Sequence, residues 1–370
     1  MNVLHLISGR GPTGPAAAAM VDVKALRAAG HRAYIATRSG TGLMDACKAE
    51  DVPAVGGLRL GKGPMRLLRL PHDMRVLRAI LRELAIDTVH VHRSDDQFLA
   101  AMAIGRTVSA RLIRTWHRNP QHVPGLLLSR LARQVDGCVT VSRDAVTTLQ
   151  SRGAAQSQFI PVGVDTDVFK PGGLHGGAYD PAQGPRIGQV GRWKRDRDGR
   201  DRGQRAALEV FAQLPRGMPW EGVLIGRGEL AAELRSAAYA ELNLSESRVT
   251  LQHVPVQSPR NFAAVLSALT LGLVFRTGGD GTSRAAGELL ACGVPLIVAD
   301  VPGLRELADD TSAVLRLLPD DPRGWARQIE ALLKTPERLR AMRLAARARA
   351  EEVHALRVRG LSLASFYERL

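Results

Sequence analysis

The chain has 370 residues, 45% hydrophobic and 24% charged, the composition of a globular protein with about two domains at roughly 150 residues each. No apolar run is long enough to span a bilayer, and no basic segment leads into an apolar one at the N-terminus, so neither a spanning helix nor a signal peptide is expected. The net charge of +15 with aromatics at only 4% disfavours nucleic acid, which needs stacking platforms, and leaves a nucleotide diphosphate or an anionic membrane surface as the acidic partner.

Strand-like runs alternate with helical patterns along the chain. VLHLIS comes first, then AYIAT, TVHVH, LIRTWH and GCVTVS; the second half reads RIGQVG, GVLIGRG, VTLQHV, LGLVFR and PLIVAD. This alternation implies parallel sheets covered by helices on both faces. A turn-rich stretch from Pro171 to Gly184 separates the halves. The expected organisation is an α/β protein with two doubly wound, Rossmann-like domains, 1–170 and 185–352, a hinge at 171–184, and a C-terminal helix over 353–370 returning to the first domain. Ligands of such sheets bind beyond the carboxyl ends of the strands, so a cleft between the domains is the expected site. Cys47, Cys138 and Cys292 lie far apart, without CxxC or Cys/His spacing, which points to a reduced cytoplasmic setting.

Directly after the first strand, Gly9-Arg10-Gly11-Pro12-Thr13-Gly14 reads G-x-G-x-x-G. A dinucleotide enzyme would carry an acid at the end of the second strand, where Ala36-Thr37-Arg38-Ser39 has none. Arg38 suits a 2′-phosphate, so an NADP-dependent oxidoreductase is the alternative, but Pro12 and Pro15 remove two N–H donors from the phosphate loop.

The second half carries more. Asp280-Gly-Thr-Ser-Arg-Ala-Ala-Gly-Glu288 opens a helix with Thr282 and Ser283 as candidate N-caps, whose free N–H groups would face an anion. The stretch resembles the E-x7-E motif of the retaining GT-B glycosyltransferases of family 4, with Asp280 in place of the first glutamate. Val190-Gly191-Arg192, Ile225-Gly226-Arg227-Gly228, Val301-Pro302-Gly303-Leu304-Arg305-Glu306, Gly163-Val-Asp-Thr-Asp-Val-Phe-Lys-Pro171 and Asp87-Thr-Val-His-Val-His92 resemble that family's other motifs in the same order.

The resemblance implies a GT-B fold and a metal-independent, retaining sugar transfer from a nucleotide-diphosphate donor to a glycan or lipid-linked acceptor. The nucleotide sugar is then a substrate, and no cofactor is expected. A sugar-nucleotide binder without catalysis is a further alternative. Residue by residue, the resemblance assigns Arg192 to the diphosphate, Glu288 to the ribose, and Asp280 and His117 to the transferred sugar. Gly11 and Gly14 would let the backbone approach the donor. The family's Lys-Gly falls on Arg202-Gly203 beyond an insertion, KRDRDGRD, with Lys194 as its rival. His5, His31, His90 and His92 are read as structural, and Asp95, Asp96, Asp196 and Asp198 do not complete a metal set. Val162 and Arg276-Thr277 depart from the family pattern, where Asn and Pro-Ser are usual.

Arg59, Lys62, Arg66, Arg69, Arg75, Arg78 and Arg82 stand among leucines. That pattern fits either a packed helix with solvated arginines or a membrane-facing surface on the cytoplasmic leaflet.

Overall fold

The computed structural model describes the backbone of all residues except 10, 12, 61–64, 106–108, 119, 173–183, 197–198, 255–258, 277–279 and 309–311. Side chains at 65–67, 122 and 280–283 also lie outside the description. The chain forms two compact units, Met1–Gly163 with Ala355–Leu370, and Val164–His354.

The first unit is built on β1 (Asn2–Leu6), β2 (Arg32–Arg38), β3 (Ala54–Leu58), β4 (Thr88–Val91), β5 (Arg111–Trp116), β6 (Gly137–Thr140) and β7 (Ser157–Phe159). They pair in the order β3-β2-β1-β4-β5-β6-β7, every pair parallel. Because side chains alternate across a strand, β1 sends Val3 to one face and Leu4 and Leu6 to the other. Val3, Ile7, Ile113 and Val139 pack with Met20 and Leu26 of the helix Gly14–Ala28 and with Leu363 of the helix Leu356–Glu368. Leu4, Leu6, Val89 and Val91 pack under Leu77, Leu81 and Leu99 on the opposite face.

The second unit holds β8 (Arg186–Val190), β9 (Glu221–Gly226), β10 (Val249–His253), β11 (Leu271–Val274), β12 (Leu296–Ala299) and β13 (Val314–Leu317). The order is β10-β9-β8-β11-β12-β13, again parallel throughout. In each sheet the strand order reverses beside the first strand, between β1 and β4 and between β8 and β11. Each reversal opens a crevice at the carboxyl edge of its own sheet. All ten expected strands are present, and β3, β7 and β13 are added. These three contain paired glycines, only three residues, or a sheet edge, and so show little periodicity.

The chain passes between units at Gly163/Val164 and again at His354/Ala355, a few residues from the expected boundaries at 170 and 353. The reason is packing. Phe169 is buried in the second core, the Val164 N–H donates to the His354 carbonyl at 2.7 Å, and Arg347 Nη1 donates to the Phe169 carbonyl at 2.9 Å. The expected hinge lies largely outside the described residues. Beyond residue 355 the last helix completes the first unit. Arg359, 3% exposed, pairs with Asp22 through Nη2–Oδ2 at 3.1 Å and donates to the Ile160 carbonyl at 3.1 Å. A buried pair of this kind needs each lone pair and N–H engaged, and here the guanidinium bridges a helix and a loop.

Candidate active site

In the second unit the crevice is built around a turn that the sequence motifs only outline. After β8 the chain runs Gly191-Arg192-Trp193, and Trp193 is buried at 2% exposure. The Gly191 N–H donates to Ile225 at 3.0 Å, the Trp193 N–H to Arg227 at 2.9 Å, and the Leu230 N–H to Trp193 at 3.0 Å. The two turns touch backbone to backbone: a Cβ at Gly226 would stand 1.9 Å from the Gly191 oxygen, and one at Gly228 2.1 Å from the Trp193 oxygen. Those glycines are therefore required by close approach. Between its two anchored neighbours, Arg192 presents an exposed side chain at the carboxyl end of β8.

The insertion does not carry the next residues away. Gln204, fully buried, accepts from the Arg202 N–H at 2.8 Å and donates to the Arg192 carbonyl at 3.3 Å. One side chain thus ties Arg192 and Arg202 together across the inserted loop. Arg202-Gly203 leads directly into the helix Gln204–Ala212, with Gly203 as N-cap at φ 99°, so the first N–H groups of that helix and the Arg202 stem share one end of the element. Within the insertion, Arg195 is committed to Glu233 at 2.7 Å, and Arg205 beyond it to Glu241 at 2.7 Å. Lys194 is exposed and, like Arg192, makes no ion pair among the described residues.

The helix Asp280–Ala291 begins at Asp280 itself. This corrects the N-cap assignment: Thr282 and Ser283 occupy the first turn, since the backbone is already helical two residues earlier. An acid in a first turn suits the helix dipole. The side chains of Asp280, Thr282 and Ser283 are outside the described residues. Glu288 lies eight residues on, about 12 Å along the axis. Its side chain is 12% exposed, with Arg284 Nε at 3.4 Å. Burial pushes its carboxyl up to about 7, against the pull of Arg284.

In the first unit the glycine turn follows β1. The Ser8 N–H donates to Asp96 Oδ1 at 3.1 Å, and burial pushes Asp96 up to about 7. Thr13 N donates to Gly11 O at 2.7 Å, and Thr13 is the N-cap of the first helix with Pro15 in its opening turn. A Cβ at Gly11 or Gly14 would meet nothing within 4 Å, so no packing within the chain demands glycine there.

His117, half-buried just past β5, is linked to histidines that sequence reasoning assigned to the core. His92 Nδ1 lies 3.0 Å from His117 Nε2, and His92 Nε2 lies 2.9 Å from His5 Nδ1. His90 is engaged at both nitrogens, by Tyr367 Oη at 2.6 Å and Thr115 Oγ1 at 2.7 Å. Ligand-type atoms of His5, Asp22 and His90 fall within 4.8 Å of one another. Those of Asp22 and His90 are already taken by Arg359, Tyr367 and Thr115, so the trio is a hydrogen-bonded core rather than a cation cage. Burial lowers His5 to about 4 and His90 and His92 well below the usual imidazole range.

The basic row from 58 to 83 lies mostly on the helix Met65–Glu83. Arg78 is committed to helix capping, donating to the carbonyls of Ala103 at 3.1 Å and Met102 at 3.0 Å. Leu68 is 74% exposed. Among the described residues, no helix is long and apolar enough to cross a membrane.

Two family models match in tandem, Glycosyltransferase Family 4 over residues 23–168 and Glycosyl transferases group 1 over 184–335. The chain belongs to the family 4, group 1 glycosyltransferases. Its whole length superposes on solved GT-B members. A glycosyltransferase from Rickettsia africae matches with TM-score 0.80 at 15% identity, covering 100% of this chain and 98% of that one. Anabaena HepE, solved with UDP and glucose, matches with TM-score 0.77 at 18% identity and full coverage of both. By sequence, the D-inositol 3-phosphate glycosyltransferase of Segniliparus rotundus is 32% identical over 193 residues, 50% of this chain and 40% of that protein. The Rhodococcus erythropolis protein of the same name is 31% identical over 138 residues, 36% of this chain and 30% of its own length. The alignments thus span less than half of these curated relatives.

Proposed function

We propose that this glycosyltransferase moves a sugar from a nucleotide-diphosphate donor to a hydroxyl group of a glycan or lipid-linked acceptor, with retention and without a metal. The observation that carries the proposal is the Gln204-held pair Arg192 and Arg202 at the mouth of a helix N-terminus. The two guanidinium groups would bind a diphosphate and supply the charge that stabilises its departure, beside a helix start whose Gly203 and Arg205 N–H groups donate to Asp201 Oδ1 at 2.7 and 3.3 Å. A divalent ion is then not required.

Glu288 is the ribose ligand in this reading, a carboxylate able to accept from two hydroxyls. Asp280 and His117 hold the transferred sugar, and Gly11 and Gly14 leave its approach open, since no neighbour fills the space a Cβ would take. In the transfer, the acceptor oxygen bonds to C1 while the bond from C1 to the phosphate oxygen breaks. The acceptor proton passes to the departing diphosphate on the same face, which needs no protein nucleophile and retains configuration. The UDP and glucose bound in Anabaena HepE support a uridine diphosphate sugar as the first donor to try. The names of the two curated relatives add a phosphorylated cyclitol to the acceptors worth testing. The exposed Leu68 beside Arg69 supports contact with an anionic membrane surface.

Thermal melts against UDP, GDP and ADP test the donor assignment. A ligand at 100 times its Kd adds about 2.7 kcal/mol, so one diphosphate should raise the Tm of the wild type and not of Arg192→Ala.

A further inference from the structure

We propose that the carboxyl edge of the first sheet carries a subsite for a sugar or polyol ring, in which Asp96 holds a hydroxyl group of the acceptor. The inference rests on the reading of this chain as a transferase that acts on a hydroxyl acceptor.

The subsite lies where β1 and β4 adjoin and the strand order reverses. The helix Ser94–Ile104 follows β4, and its first turn brings Asp95 and Asp96 to that edge. Residues three apart share a helix face, so Asp95 stands on one side of the helix with Phe98. On the helix Met65–Glu83, which packs alongside, the same spacing sets Leu70 beside Asp73. Together with Leu60 beyond β3 and Ser8 beyond β1, these side chains line a pocket of about 320 Å³, the space open to solvent included. Its walls are part acid and part apolar.

Asp96 is fully buried in the wall of this pocket. Its Oδ1 accepts from the Ser8 N–H at 3.1 Å. Its Oδ2 has no hydrogen-bond partner among the described residues, although the Ser8 hydroxyl and the Arg93 charge both favour the ionised form. A buried acceptor left unmet is costly, and a carboxylate more so than a neutral group. The other two acids are placed differently. Asp73 Oδ1 accepts from the Arg59 N–H at 2.7 Å, and Asp95 is half-buried. Asp96 is therefore the group that a ligand from outside the chain would complete.

A partner for Oδ2 has to donate a hydrogen bond. A phosphate dianion offers no donor; a hydroxyl and an ammonium both do. Burial lifts the Asp96 carboxyl to about 7, so both of its protonation states are populated near neutral pH. A hydroxyl donates and accepts and so suits either state, whereas an ammonium suits only the ionised one. The apolar wall fits the same ligand. Leu60, Leu70 and Phe98 offer surface to the C–H face of a ring whose hydroxyls point at the acids, the usual division of a small-molecule pocket. The geometry thus sets an unphosphorylated hydroxyl position of the acceptor against Asp96.

Saturation-transfer NMR with myo-inositol and with methyl α-D-glucopyranoside reads binding to the full chain without any donor. At least one of the two should receive saturation from the wild type. Asp96→Asn keeps an oxygen for the Ser8 N–H and presents an NH2 group in place of Oδ2. It should weaken that binding about tenfold, the effect of one hydrogen bond to a charged group. Phe98→Ala, at a partly exposed position, should weaken it too while leaving the Tm unchanged. In transfer assays Asp96→Asn should raise the acceptor KM and leave the donor KM and the UDP-induced rise in Tm as they are. No saturation of either compound in the wild type overturns the proposal, even if the Asn variant fails to fold. Undiminished binding to a folded Asp96→Asn protein overturns it as well, as does displacement of the bound ring by ethanolamine. Absence of transfer to any hydroxyl would remove the transferase reading, while the binding measurement still decides the subsite.

Discussion

The side-chain amide of Gln204 donates to the carbonyl of Arg192 at 3.3 Å. Its oxygen accepts from the Arg202 N–H, so the two arginines are held to one buried group despite the loop between them. This ranks the basic residues of the segment. Arg192→Ala should lower kcat at least about 10²-fold, the usual loss when leaving-group electrostatics are removed. Arg202→Ala should follow it closely, and Lys194→Ala should act weakly. Steady-state kinetics of the three variants check the order; a Lys194 effect larger than that of Arg202 would reassign the clamp.

Glu288 makes a pH-dependent prediction. Its folded-state pKa is raised from 4.5 to about 7, so the folded chain binds more protons than the unfolded one between those values. Stability contributed by this group is therefore lost as pH rises from about 4.5 through 7. Glu288→Gln should be more stable than wild type at pH 8, by up to about 3 kcal/mol at 1.36 kcal/mol per unit, and equal to it near pH 4.5. Urea unfolding at both pH values measures the difference. The same variant should lose transfer, because an amide cannot accept from both ribose hydroxyls.

Two glycines should respond in opposite ways. A Cβ at Gly11 meets nothing within 4 Å, while one at Gly226 would collide with the Gly191 oxygen. Gly11→Ala should keep the wild-type Tm and raise the donor KM. Gly226→Ala should lower the Tm by several degrees or prevent folding, and disturb Arg192 with it. Equal melting temperatures for the pair would contradict the backbone contact.

Membrane attachment is tested by co-sedimentation with liposomes of increasing anionic content. Each basic group near an anionic leaflet contributes about 1 kcal/mol, screened beyond roughly 10 Å at 0.1 M salt. Replacing Arg66, Arg69 and Arg75 by glutamine should weaken binding and leave nucleotide-sugar hydrolysis intact. Equal binding to neutral and anionic vesicles would make these arginines an ordinary solvated face.

Much of the fold was legible because parallel strands buried on both faces read as apolar runs between helical patterns. Arg192 and His117 follow β8 and β5 closely, as the ends of the runs RIGQVG and LIRTWH suggest. What could not be read is what depends on register and packing. Gln204 follows Arg202-Gly203 in plain view, yet nothing in its spacing reveals that it is buried and bonded to Arg192. His5, His90 and His92 read as structural and His117 as a sugar ligand; that His5, His92 and His117 are hydrogen-bonded in a row shows only once β1, β4 and β5 are aligned. Thr282 and Ser283 were misplaced as caps because helix starts shift by a residue or two without a geometric marker.

The central claim is sugar transfer with retention from a nucleotide-diphosphate donor. Proton and phosphorus NMR of the purified chain with a uridine diphosphate α-sugar, followed from the first turnover, tests it most directly. The account predicts release of nucleoside diphosphate without added metal, and a sugar or glycoside that appears first as the α-anomer. It also predicts that Arg192→Ala abolishes both signals. A product appearing first as the β-anomer, or turnover unaffected by Arg192→Ala, would contradict it.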